Sequence, residues 1–164
     1  MNFPDPSSLK ELASGKARQN KELLKKLKSL NHRELDEAFH VLHEEAFAKM
    51  DCLDCANCCK TTSPVFTEKD IQRIAKHLRM RPSEFAEAYL RLDEDEDYVL
   101  KTSPCAFLLE DNTCLVYEVR PKACRGYPHT DHVGMRKLLS LTMRNTAVCP
   151  AVHVIWERLR EMQV

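Results

Sequence analysis

The chain has 164 residues with 25 basic and 25 acidic side chains, so its formal charge is zero and the basic excess typical of nucleic-acid binders is missing. That length is one ordinary domain with room for a hydrophobic core, and 43% apolar with 30% charged residues fits neither a disordered nor a membrane-embedded chain. Three scattered glycines, Gly15, Gly126 and Gly134, are too few for a dinucleotide fingerprint or a phosphate-cradling loop.

No run approaches the roughly 18 to 20 consecutive apolar residues that cross a bilayer. The start, Met1-Asn2-Phe3-Pro4-Asp5-Pro6, lacks the basic-then-apolar pattern of a secretory leader. These features point to a cytoplasmic protein with no membrane partner.

The first fifty residues read as two helices. Ser8 to Glu11 has capping-box spacing, and Leu23, Leu24, Leu27 and Leu30 recur at helical intervals. Asn31 with Glu34 opens the second helix, whose stripe is Leu35, Ala38, Phe39, Leu42, Ala46 and Met50. The short break between them predicts a helical hairpin over residues 1–50, packed on a cysteine-cluster domain over residues 51–164 in one compact unit. Thr67 to Asp70 opens a further helix with Ile71, Ile74, Ala75 and Leu78 on one face, and Pro82 starts a shorter one carrying Phe85, Ala88, Tyr89 and Leu92. The acidic run Asp93 to Asp97 reads as a solvated loop. Residues 105–109 and 113–117 read as a β-hairpin turning at Asn112. Residues 135–148 fit helix or strand, and Pro150 to Met162 is a helix with Val152, Ile155, Trp156, Leu159 and Met162 on one side. The expected fold is mainly α with a small β-hairpin, an irregular cysteine-rich core covered by helices.

All eight cysteines lie between positions 52 and 149. Cys52, Cys55 and Cys58 are each two residues apart and Cys59 follows directly; Cys105, Cys114, Cys124 and Cys149 come later. A C-x2-C loop curls so that two sulfurs reach one metal at about 2.3 Å, and Asn57 is the residue suited to a left-handed backbone there. A ferredoxin run requires a cysteine where this chain has Thr62. Export signals that would favour disulfides are missing, and so is the βαβ setting of a redox C-x-x-C. All eight cysteines are therefore candidate metal ligands. In a tight hairpin Cys105 and Cys114 share a face but stand roughly 13 Å apart, which assigns them to different metals or to different edges of a larger cluster unless the turn is looser.

The run Cys52-x2-Cys55-x2-Cys58-Cys59, then Pro104-Cys105-Ala106-Phe107-Leu108, then Cys114 to Pro128 with Arg120-Pro121-Lys122-Ala123-Cys124-Arg125-Gly126-Tyr127, resembles the YkgJ-like cysteine-cluster family. The resemblance covers about residues 50 to 150, with Cys149 as the closing cysteine, and implies chelation of zinc or iron. A related module in flagellin lysine methylases implies a link to methyl transfer, although this chain lacks the length and glycines of an obvious methyl-donor domain. Thiolate sites are anionic, so Arg120 and Arg125 are candidates to offset that charge beside a bound cofactor. His129 and His132 follow closely enough to replace a thiolate; His40, His43 and His77 read as structural.

The expected function is metal binding, with zinc or iron as cofactor, an iron–sulfur cluster included. The alternatives are an iron–sulfur enzyme or its accessory, and a zinc-dependent module that binds nucleic acid or protein. The neutral charge argues against nucleic acid, and a protein partner stays open. No catalytic motif is recognisable, so enzymatic activity is left undecided.

Overall fold

The computed structural model describes residues 1–162. Its helices are α1 (Leu9–Gly15), α2 (Ala17–Ser29), α3 (His32–Phe47), α4 (Cys52–Cys55), α5 (Asn57–Thr61), α6 (Glu68–His77), α7 (Pro82–Tyr89), α8 (Lys122–Gly126), α9 (Leu139–Asn145) and α10 (Pro150–Glu161). Strands β1 (Leu90–Leu92) and β2 (Tyr98–Leu100) pair antiparallel between α7 and α8. The fold is mainly α with a small β-hairpin. The chain divides into two compact units, one made of Met1–Cys52 and the segment from Pro128 onward, the other of Leu53–Tyr127.

In the first unit, α10 is the buried element: every side chain from Pro150 to Trp156 is buried, as is Leu159. A helix apolar on nearly all sides must be surrounded. α3 packs along it through Leu35, Phe39, Leu42 and Ala46, while α2 turns Leu23 and Leu27 inward and packs on α9. Met162, expected on the apolar face of α10, is instead exposed. Asn31 caps α3 by accepting from the Arg33 amide. Ser8 makes no side-chain cap on α1. Asp5 caps a 3-10 turn just before it, and Lys16 splits the expected first helix into α1 and α2.

One polar network crosses this core. Asn20 Oδ1 accepts from Trp156 Nε1 at 3.1 Å and from Arg160 at 2.5 Å. Asn20 Nδ2 donates to the Ala13 carbonyl at 3.3 Å. The indole N–H is thereby satisfied inside an apolar surround, as buried Trp requires.

In the second unit, α6 and α7 pack together and enclose Phe66, Ile71, Ile74, Phe85, Leu90, Leu100, Phe107 and Val116. Thr67 and Asp70 form the capping box that starts α6. The two-stranded sheet is not at 105–117 but directly after α7, with Leu90 opposite Leu100 and Leu92 opposite Tyr98. Leu92 therefore leaves the helix stripe and is exposed. The acidic run is the turn of this hairpin: Asp93 Oδ1 accepts the amides of Asp95 and Asp97, each at 3.0 Å. That Asx-type turn reverses the chain while the carboxylates stay in water.

Asn20→Ala should lose about 1–3 kcal/mol, because it leaves the buried Trp156 N–H without its acceptor. Urea unfolding followed by fluorescence of Trp156, the single tryptophan, measures this; an unchanged midpoint would show that the network carries no stability.

Candidate metal centre

Three chain segments of the second unit converge on its cysteines. The first is the part of the C-x2-C-x2-C-C run that follows Cys52. α4 ends at Cys55, Ala56 adopts a left-handed backbone with φ 46°, and α5 begins at Asn57. The left-handed position is thus Ala56, not Asn57. Alanine tolerates this at a cost of roughly 1–2 kcal/mol, and its small side chain is buried there. Cys58 and Cys59 then occupy the first turn of α5, with their sulfurs 3.9 Å apart. A tetrahedral ion with metal–sulfur bonds near 2.3 Å has sulfur–sulfur edges of about 3.8 Å.

The second segment runs from Ser103 to Tyr117. The Cys105 amide donates to the Cys59 carbonyl at 2.8 Å, and Ser103 Oγ donates to the Lys60 carbonyl at 3.0 Å. Asn112 Nδ2 donates to the Leu53 carbonyl at 2.7 Å, so the start of this segment and its turn are both tied to the first. The reversal at Asn112 forms as expected, with φ 64°. A bridge between Leu108 and Cys114 pairs across it, flanked by the Leu109 amide on the Thr113 carbonyl and the Leu115 amide on the Phe107 carbonyl, each at 2.9 Å. Ahead of that bridge the Leu108 amide bonds back to the Cys105 carbonyl at 3.1 Å. This extra turn departs from a regular hairpin, and Cys105 stands within reach of the Cys114 charge. Phe107 anchors the turn by stacking on Phe85, with ring centroids 6.0 Å apart.

The third segment carries Cys124 on α8, and an ion pair between a buried carboxylate and a partly buried guanidinium holds it. Asp70 is almost wholly enclosed: Oδ2 accepts from the Thr67 amide and hydroxyl, while Oδ1 accepts from Arg73 at 2.5 Å and from the Lys122 amide at 3.1 Å. Arg73 donates onward to the carbonyls of Val119 at 3.2 Å and Arg120 at 2.9 Å. One carboxylate and one guanidinium thus fix residues 119–122 and set the first turn of α8.

The electrostatics of the thiols follow from this convergence. Contact with Cys58, and further the Lys60 ammonium, outweigh burial and bring the Cys59 thiol down to about 7. Burial raises Cys105 and Cys114, and the charge of Cys59 adds to both. Cys124 is pushed up to about 12 by burial together with the charges of Cys59, Cys105 and Cys114. Arg120 opposes this at Cys114 and Cys124. Its guanidinium also lies 3.9 Å over the Tyr117 ring and donates to the Tyr117 carbonyl. Four thiols within reach of one another's charge cannot all ionise unaided, and a bound cation is what relieves such a set.

Cys55, Cys58, Cys59, Cys105, Cys114 and Cys124 are all half-buried members of the second unit. Cys52, exposed, and Cys149, buried at the start of α10, belong to the first. Arg125 donates to the Arg120 carbonyl at 3.2 Å, bracing the loop. His129 and His132 lie in the first unit, with ring nitrogens 3.4 Å apart. Among the described residues no three Cys, His, Asp or Glu side chains stand in complete ligand geometry. The donor chemistry nevertheless fits a thiophilic ion: sulfur from three segments, one pair at tetrahedral edge length, and cations beside them. Sequence reasoning missed Arg73 and Lys60 and the second role of Asp70. The capping box flagged Asp70 as a helix start, but nothing local signals that its other oxygen serves residue 122.

Burial alone would raise the Asp70 carboxyl, but the bonds from Thr67, Arg73 and Lys122 outweigh it and hold it below its usual value. Its stabilisation is therefore complete above the unfolded-state value and is lost as pH falls through the lower folded one. Asp70→Ala should cost about 3 kcal/mol, since it strands a partly buried guanidinium. Urea denaturation at neutral pH and again at low pH should show the difference from the parent shrinking on acidification; a difference that grows would refute the assignment. In the metal-free protein, iodoacetamide should modify Cys59 first, with a midpoint near the Cys59 value of about 7, while Cys124 resists until strongly alkaline pH. Peptide mass mapping reads this, and equal rates at the two sites would contradict it.

The chain matches the family model "CxxCxxCC: Putative zinc- or iron-chelating domain" over residues 51–150, a stretch that holds all eight cysteines. It is also 33% identical over 90 residues to the uncharacterized protein MJ0661 of Methanocaldococcus jannaschii, covering 53% of this chain and 48% of that protein. The match therefore spans about half the length of that relative. No solved structure matches the chain. With well over half its length inside the family model, the chain belongs to the CxxCxxCC family, described as zinc- or iron-chelating.

Proposed function

We propose that the protein chelates zinc or iron through thiolates of the second unit, with Cys59, Cys105, Cys114 and Cys124 as the primary donors and Cys58 and Cys55 beside them. The observation that carries this reading is the convergence of three cysteine-bearing segments, held by the Cys105 amide on the Cys59 carbonyl and the Lys122 amide on Asp70, which sets the four thiols within reach of one another's charge. Arg120 offsets the remaining negative charge. Cys52 and Cys149 complete the thiol inventory. Bound there, the metal would cross-link three segments that hydrogen bonds already align; in small zinc peptides such cross-linking is worth about 10–16 kcal/mol. A reducing, cytoplasmic setting belongs to the reading, because it keeps the thiols available.

An iron–sulfur cluster is the second reading. Such a cluster also takes four cysteine thiolates, and the six cysteines of this unit supply that number. Such a cluster would add electron transfer or an enzymatic role.

Anaerobic purification with elemental analysis and a visible spectrum separates the two. Stoichiometric zinc in a colourless protein supports the first, and iron with acid-labile sulfide supports the second. Cys59→Ser with Cys124→Ser should remove most of the metal in either case. A folded protein that takes up neither metal would overturn both readings.

A further inference from the structure

The loop that opens the second half of the first unit, His129-Thr130-Asp131-His132, is held in an unusual way. His129 has φ 65°, a left-handed backbone that is uncommon outside glycine although histidine takes it more readily than most residues. α3 holds the loop at three points. His43 Nδ1 meets Thr130 Oγ1 at 2.8 Å, and Thr130 is fully buried. His40 Nε2 donates to the His132 carbonyl at 3.1 Å. Asp36 then accepts the amides of Gly134 at 2.7 Å and Met135 at 2.8 Å, closing the far end of the loop.

The product of these constraints is a pair of imidazoles. His129 Nδ1 and His132 Nε2 are 3.4 Å apart, with ring planes tilted by 42°. That separation is longer than the roughly 2.7–3.2 Å of an N–H···O hydrogen bond. It equals the edge of a tetrahedron around an ion with metal–nitrogen bonds of about 2.0–2.1 Å, which is about 3.4 Å.

We infer that His129 and His132 form a second metal site, separate in donor chemistry from the thiols, for a borderline divalent cation such as zinc. Imidazole nitrogen suits zinc, nickel and copper rather than magnesium or calcium. Two protein donors leave the other positions to water or an incoming anion, and the exposure of His132 gives them access. Such a site binds reversibly and exchanges its ion readily, whereas a closed thiolate site retains its own. His40 and His43 act here as positioning residues: they fix the loop backbone while the ring nitrogens of 129 and 132 bind.

The test uses the full chain as purified, with any metal on its thiols left in place and its seven histidines labelled with 15N. Zinc chloride is titrated while the imidazole resonances are followed. The expected result is that His129 and His132 shift together and saturate at one added equivalent, while His77 and His153 do not move. His132→Ala, at an exposed position, and His129→Asn, which tolerates the left-handed backbone, should each weaken this event on the order of tenfold or more. Unchanged His77 and His153 signals in the variants show that the fold is intact. Absent shifts, or shifts that persist at the parent affinity in both variants, would overturn the site. Imidazole shifts do not report sulfur ligation, so the result stands or falls independently of the thiol centre.

Discussion

The Asp70–Arg73 pair is the constraint on which the second unit turns. An enclosed carboxylate demands donors for both oxygens, and a guanidinium beside it demands acceptors. Asp70 meets its demand with Thr67, Arg73 and the Lys122 amide, and Arg73 meets its own with the carbonyls of 119 and 120. Neither requirement can be satisfied within α6 alone. The segment leading to Cys124 must therefore return to the helix that begins at Glu68, and a polar need fixes where a thiol stands.

Around that clamp, apolar and polar forces divide the labour. Phe107 stacks in the aromatic cluster with Phe85 and Tyr89, which seats the loop carrying Cys105 and Cys114. Backbone bonds from Cys105 to Cys59 and from Asn112 to Leu53 then join that loop to the C-x2-C run. The thiols sit at the border of this apolar core, with Cys105 and Cys114 packed against it. Partial burial makes their charges costly and their metal affinity correspondingly dependent on deprotonation. The same geometry that penalises the metal-free thiolates thus prepares them for a cation.

The first unit follows a different logic. Its centre is α10, a helix too apolar to face water, with α3 packed along it. Asn20 and Trp156 satisfy each other inside the unit, whereas the buried Asn145 Nδ2 has no hydrogen-bond partner among the described residues. α3 buries one face and presents Asp36, His40 and His43 to the 129–135 loop. A helix that packs on one side and holds a loop on another gives that loop a fixed conformation without secondary structure of its own.

By itself the sequence determined what depends on nearby residues. The 3.6-residue periodicity located α3, α6 and α10, the Thr67–Asp70 capping box located the start of α6, and cysteine spacing located the chelating region that the family match covers. Asn112 was legible as a reversal because its left-handed tolerance is intrinsic to the residue. The sheet was expected one loop too late: a five-residue acidic run looks like solvent-exposed chain, and its Asx turn depends on which carboxylate folds back onto the amides. Tertiary structure alone decided which thiols share one another's field, that Ala56 and not Asn57 takes the left-handed position, and that helices from both ends of the chain build one core. The physical reason is the same in each case: hydrogen bonds and burial across tens of residues outweigh local preference, and their partners are not neighbours in sequence.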